Sequence, residues 1–152
     1  MGETKLDRLI PAALGIALQL SGAQRGFLLL RDRADSPFEV KYSRDQEGQP
    51  IAQAHLDISE TVARQVAATA RPILTVDAAR DRRFAQAASV IDLQLTAILC
   101  VPIQERDGVL GCLYLDHRGS PTVFAGEIPR MIAAFADLVA IALLTARQVS
   151  EL

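Results

Sequence analysis

Four side chains on one short stretch carry the chain's most distinctive chemistry. Cys100, Cys112, Tyr114 and Asp116 sit at even positions within Thr96–Asp116, TAILCVPIQERDGVLGCLYLD. Thiolates with a carboxylate suit a soft metal, a thiol pair suits redox chemistry, and a phenol in an apolar wall suits ligand binding. The plain alternative is that the thiols and the phenol are satisfied core residues. The two histidines, His55 and His117, fall in loops on opposite sides of this stretch and read as surface residues. No Ser/His/Asp spacing, paired carboxylates in an apolar setting or phosphate-cradling glycine loop accompanies them, so the chain reads as not an enzyme.

The element that must position these groups is a β-hairpin, two apolar runs around Asp107-Gly108. Both runs are apolar at odd and even positions alike, so the hairpin belongs in the middle of a sheet covered on both faces. A two-residue turn would set Arg106 opposite Val109; a type I turn with a left-handed glycine sets Glu105 opposite Val109. The second register sorts the side chains better. One face then carries Leu99, Val101, Ile103, Gly111, Leu113 and Leu115, a floor for helices. The other carries Thr96, Ile98, Cys100, Pro102, Cys112, Tyr114 and Asp116, the floor of a polar-tipped pocket.

Composition bounds the rest. At 152 residues the chain is one domain, 1–152, reading as a piece excised from a longer multidomain protein. Sixteen basic residues against eighteen acidic ones give a charge of -2, which offers no footprint for nucleic acid or an anionic membrane. Two cysteines without Cys-x-x-Cys spacing, and no signal peptide, place it in the reducing cytoplasm. The apolar run Met131–Ala146 is read as too short to span a bilayer and is interrupted by Asp137, so a buried helix is expected.

In chain order, Leu6 to Leu20 has helical spacing, with Pro11 allowing a start near its own position. Gly26–Arg31 and Phe38–Ser43 read as paired strands, the second an alternating edge strand. A helix starts near Ser59, capped by Asp57 or Ser59, and Ile73–Val76 is a short strand. Asp77–Leu95 reads as a loop with short helices, Ser89 capping one, that folds over the pocket face. A last helix, about Glu127 to Glu151, carries a main stripe with Ile132, Phe135, Val139 and Ala142, and a second with Met131, Leu138 and Ile141. Leu6, Ala13 and Ala17 of the first helix and Ile132, Phe135, Val139 and Ala142 of the last are the expected interface of a homodimer.

This order of elements resembles a GAF domain. The likeness rests on Val101-Pro102-Ile103, Val109-Leu110-Gly111, Leu113-Tyr114-Leu115-Asp116, Phe124 and the Ala140–Leu143 run. It rests too on the approach pattern Asp77, Asp81, Arg83, Phe84, Ser89. The resemblance implies an α+β fold, GAF/PAS-like, with an antiparallel sheet of about six strands. The terminal helices would lie on one face and a ligand-pocket segment on the other. It also implies a sensory module binding an unidentified small molecule, with a downstream effector domain (AAA+ ATPase, kinase or cyclase). Phe84, Ser89, Leu93, Ile98, Cys100, Tyr114 and Asp116 are the expected pocket residues. A ligand-free dimerisation scaffold is the alternative, and a cyclic-nucleotide- or metal-binding sensor a remote one. The Asn-Lys-Phe…Asp-Glu motif of cyclic-nucleotide binders is missing at Phe84. A bilin would need a cysteine beside a histidine, and an iron site would need a cysteine where Ile98 stands. The cysteine set of methionine-sulfoxide reductases is not reproduced. No cofactor or metal is assigned.

Overall fold

The central hairpin forms where its alternation places it, as β4 (Ala97–Glu105) and β5 (Gly108–His117). Cys100 pairs with Tyr114, and Ile98 with Asp116, the register that sorts the faces as expected. Only the tip differs. A bulge after Ile103 resets the pairing to Gln104 with Val109 and Glu105 with Gly108, leaving Arg106-Asp107 as the turn. Gly108 takes φ +132°, a conformation that side chains resist, and the bulge turns Leu110 onto the aliphatic face and Val109 onto the other.

The computed structural model describes residues 5–33, 35–51 and 57–151, without the side chains of residues 6, 57, 58, 89 and 147–151. His55 and the side chains of Leu6 and Ser89 therefore lie outside the described residues. The order is α1 (Lys5–Ser21), β1 (Arg25–Leu30), β2 (Glu39–Asp45), α2 (Asp57–Thr69), β3 (Ile73–Thr75), a 3-10 turn (Ala78–Arg80) and α3 (Ala88–Leu93). Then come β4, β5 and α4 (Ile128–Glu151). The sheet is antiparallel in the order β2-β1-β5-β4-β3, five strands among the described residues rather than about six.

Local departures have local causes. α1 starts at Lys5 and carries Pro11 inside it. The Pro11 carbonyl accepts a hydrogen bond from Arg44 Nη1 at 3.2 Å, tying the helix to β2. Ser59, one candidate cap, lies buried inside α2. The N-cap of α3 is Ala87, not Ser89.

The aliphatic face packs Leu28, Leu99, Val101, Ile103, Leu113 and Leu115 against both terminal helices. α1 contributes Ile10, Leu14, Ala17 and Leu18; α4 contributes Ile132, Ala136, Val139, Ala140 and Leu143. Each aliphatic side chain fully buried here is worth about 1.5–3 kcal/mol of transfer free energy. This corrects the expected dimer surface. Ala17, Ile132 and Val139 are buried in the chain's own core, because the main stripe of each helix is what the sheet needs. Ala13, Phe135 and Ala142 are only half-buried. The surplus apolar surface is Leu9, Ile16 and Leu20 on α1 and, from the second stripe of α4, Leu138 (64% exposed) and Ile141 (61%). Ile128–Ala146, with mean hydropathy 1.8, is after all long and apolar enough to cross a membrane by composition. Its inner stripe packs on the sheet, with 28% of the span buried.

Candidate functional site

The opposite face is organised in rows running straight across the strands. Asp45, Arg25, Asp116, Ile98 and Thr75 form the row at one end, and Ser43, Phe27, Tyr114, Cys100 and Ile73 form the next. Because direct partners share a face, these side chains all point the same way. α2 covers the apolar part with Val62, Ala63 and Val66, and Phe84, Val90 and Leu95 close the side. The end row is left with charge beneath it.

There a completely buried carboxylate meets a guanidinium that is 11% exposed. Arg25 Nε donates to Asp116 Oδ1 at 2.9 Å and Nη2 donates to Oδ2 at 2.6 Å. Tyr114 Oη donates to the same Oδ2 at 2.7 Å. Such a fork pairs two charges with fixed geometry, and the phenol satisfies a further lone pair. Burial pulls the Arg25 pKa down, but the hydrogen bonds and charge of Asp116 outweigh it and the net shift is upward. Burial, reinforced by the Asp116 charge, pushes the Tyr114 phenol well above its ordinary range. The phenol therefore stays a neutral donor. Arg25 also stacks over the Phe27 ring, 5.1 Å from its centroid, and Phe27 leans on Tyr114.

A cavity of about 340 Å³ opens over this row. Its floor is Arg25 and Asp116, its apolar wall Pro50, Ile51, Leu93 and Leu95, and its polar rim includes Gln24, Glu47 and Arg118. Residues 46–51, after β2, are held beside it by the chain's own hydrogen bonds. Asp45 Oδ1 accepts from the backbone amides of Glu47 and Gln49, both at 2.9 Å, and Ser43 Oγ accepts from that of Ile51 at 3.0 Å. Across the cavity, Gln24 Oε1 accepts from the Arg118 amide at 2.8 Å. A larger hollow, about 600 Å³, lies beside α2 near Arg31 and Arg64. It lacks a buried charged floor, and Arg31 there is committed to the Val109 carbonyl at 2.9 Å and to the Phe38 ring.

The expected pocket residues divide between packing and cavity. Phe84, Ile98, Cys100 and Tyr114 come together but are filled in, each at most 1% exposed. Cys112 Sγ approaches the Ala63 carbonyl at 3.9 Å, and burial with the neighbouring Cys112 raises the Cys100 thiol well above its ordinary range. Leu93 and Asp116 border the cavity. The approach motif is a local staple. Arg83 Nη2 donates to Asp81 Oδ2 at 2.7 Å, Asp81 also accepts from the Arg83 amide, and Arg83 lies over the Phe84 ring. His117 ends β5 half-buried, and its Nδ1 has no hydrogen-bond partner among the described residues. Among the described residues no three His, Cys, Asp or Glu side chains gather as a metal site would need.

Sequence reasoning missed Arg25, Glu47, Ile51 and Arg118. Only Arg25 left a trace, as a charge opening an otherwise apolar strand.

A five-stranded antiparallel sheet with terminal helices on one face and a covered, polar-ended face on the other defines a class of regulatory sensor folds. The chain belongs to the GAF domain family, whose model matches residues 3–144. It is similar to the GAF domain of a phosphoenolpyruvate-protein phosphotransferase from Coxiella burnetii, with TM-score 0.74, 16% identity, and 99% of this chain and 89% of that one covered. It is also similar to a Synechocystis GAF domain in its photoproduct state, with TM-score 0.74, 14% identity, and coverage of 97% and 98%. A third likeness is a putative two-component sensor histidine kinase domain from Sinorhizobium meliloti, with TM-score 0.69, 15% identity, and coverage of 98% of each chain. At such identities the likeness is one of fold. No curated protein sequence matches the chain. GAF domains are regulatory modules of signalling proteins, and no catalytic family is matched.

Proposed function

We propose that this domain senses a small molecule in the cavity over Arg25 and Asp116 and passes the result to an attached effector. The observation that carries this reading is a buried, hydrogen-bonded charge pair flooring an open cavity on the face opposite the terminal helices. The pair is satisfied within the chain, so it fixes the shape and polarity of the floor beneath a small apolar-walled space. A homodimer supplies the output. The exposed stripes of Leu9, Ile16 and Leu20 and of Leu138 and Ile141 supply an apolar surface for a second copy, and α4 then carries any shift onward. The buried free thiols Cys100 and Cys112 fit a bacterial cytoplasmic setting.

Native mass spectrometry of freshly purified protein tests the sensing role. The expected result is a retained small molecule that Ile51→Trp expels from the cavity. Protein with no added mass, and no response of a full-length parent to Ile51→Trp, overturns it. The second reading, a ligand-free dimerisation scaffold, is favoured by the close packing of Cys100, Tyr114 and Phe84. Sedimentation speaks to the dimer in both readings. Dimers at micromolar concentration that Leu138→Glu dissociates are expected, and a monomer unaffected by that change removes the dimer from either.

A further inference from the structure

Resting on the sensing reading, we propose that the cavity takes a zwitterion of amino-acid size, with one carboxylate, one ammonium and a short apolar body. The floor supplies no free charge, because Arg25 and Asp116 already neutralise each other and Tyr114 donates to the same carboxylate. Of the other described lining charges, Asp45 is turned to the backbone amides of Glu47 and Gln49, which leaves Arg118 and Glu47, of opposite sign, at the rim. Among the described residues, neither the Arg118 guanidinium nor the Glu47 carboxylate has a protein partner.

Both are held in place by their backbones, Arg118 through its amide to Gln24 Oε1 and Glu47 through its amide to Asp45 Oδ1. Arg118 follows β5 and Glu47 follows β2, with β1 between them. Two strand spacings separate their backbones, roughly 10 Å, a gap that two long side chains close to the span of a small zwitterion. Pro50, Ile51, Leu93 and Leu95 offer the apolar body its wall. The space, about 340 Å³, is at the small end of the range for ligand pockets, roughly 300–1,000 Å³.

Charge arithmetic disfavours anionic competitors, and Arg118, unpartnered among the described residues, disfavours a simple cation. Among the described residues the lining holds two cations, Arg25 and Arg118, against three carboxylates, Asp45, Glu47 and Asp116. A phosphate or a dicarboxylate would meet net repulsion there, while a zwitterion adds no net charge and can answer both rim groups.

Isothermal titration calorimetry with L-valine, 3-methyl-2-oxobutanoate and isobutylamine tests this, since the last two keep the body but only one charge each. The expected result is that valine binds at least about tenfold more tightly than either analogue. Arg118→Ala and Glu47→Ala, both at exposed positions, should each weaken valine about tenfold or more. Glu47→Ala should not weaken the keto acid's binding, and Arg118→Ala should not weaken the amine's, since each change removes a like charge. Equal binding of an analogue, wild-type valine affinity in either variant, or no binding of any of the three overturns the assignment. Such a failure alongside a small molecule retained in native mass spectrometry leaves sensing intact; failure of both experiments removes both.

Discussion

The two faces of the sheet are built from alternate residues of the same strands, yet they are finished differently. The face beneath α1 and α4 is apolar from end to end, so volume-conserving swaps among its aliphatic residues should cost less than about 1.5 kcal/mol. The opposite face starts equally apolar under α2 and ends in a salt bridge, a phenol and a cavity. The difference teaches where specificity resides: the first face stabilises the domain, and the second holds a defined charge geometry that a hydrophobic face could not.

Removing one half of the charge pair should strain that contrast most. Asp116→Ala removes the buried carboxylate that Arg25 and Tyr114 share and should cost about 3–5 kcal/mol in urea unfolding. The double variant Arg25→Met/Asp116→Leu should recover most of it; a double variant as unstable as the single would show that the row is needed for shape rather than charge. On the aliphatic face, Leu99→Ala should cost about 2–5 kcal/mol. Any ligand bound at the cavity should be held as tightly as before, and a comparable loss of binding would mean the faces are not separable.

Tyr114→Phe deletes only the donor to Asp116 and should cost about 1.5–3 kcal/mol. A smaller effect comes from pH. The folded Cys100 thiol and Tyr114 phenol are raised above their ordinary values of 9.0 and 10.0, so the unfolded chain releases their protons first as pH rises. Stability from both is full below about pH 9 and falls above it, by at most about 1.4 kcal/mol per pH unit for each group. Cys100→Val should flatten the decline between pH 9 and 10 in chemical denaturation, while an unchanged slope would assign it to other groups. Least of all, Leu138→Glu on the exposed stripe should change the stability of the monomer by no more than about 0.5 kcal/mol.

The hairpin, its register and the identity of the two faces were legible because alternation fixes which residues share a side, and a one-residue slip would have mixed Tyr114 with Leu113. The tip was not, because the bulge depends on how Gly108 and Val109 meet Gln104 and Glu105, which composition does not encode. For the candidate site, Asp116 and Leu93 could be named from the sequence, but Arg25 could not be joined to Asp116. Their pairing is made across the sheet between β1 and β5, far apart in the chain. Glu47, Ile51 and Arg118 lie in loops with no periodic signal. The last helix could be seen to carry two apolar stripes, but not which of them the sheet takes, because both are apolar at helical spacing; Ile132 and Val139 of the main stripe are buried on the sheet.

The strand order has a consequence for how the domain is made. β5, the middle strand, is also the last to leave the ribosome, and β1 pairs with it on one edge while β4 takes the other. Until residues 108–117 emerge, β1 and β2 are a lone hairpin and α1 has no complete floor for Ile10, Leu14 and Leu18. Between the emergence of β2 and that of β5 the half-built sheet therefore has an exposed edge, and closure waits for one late strand.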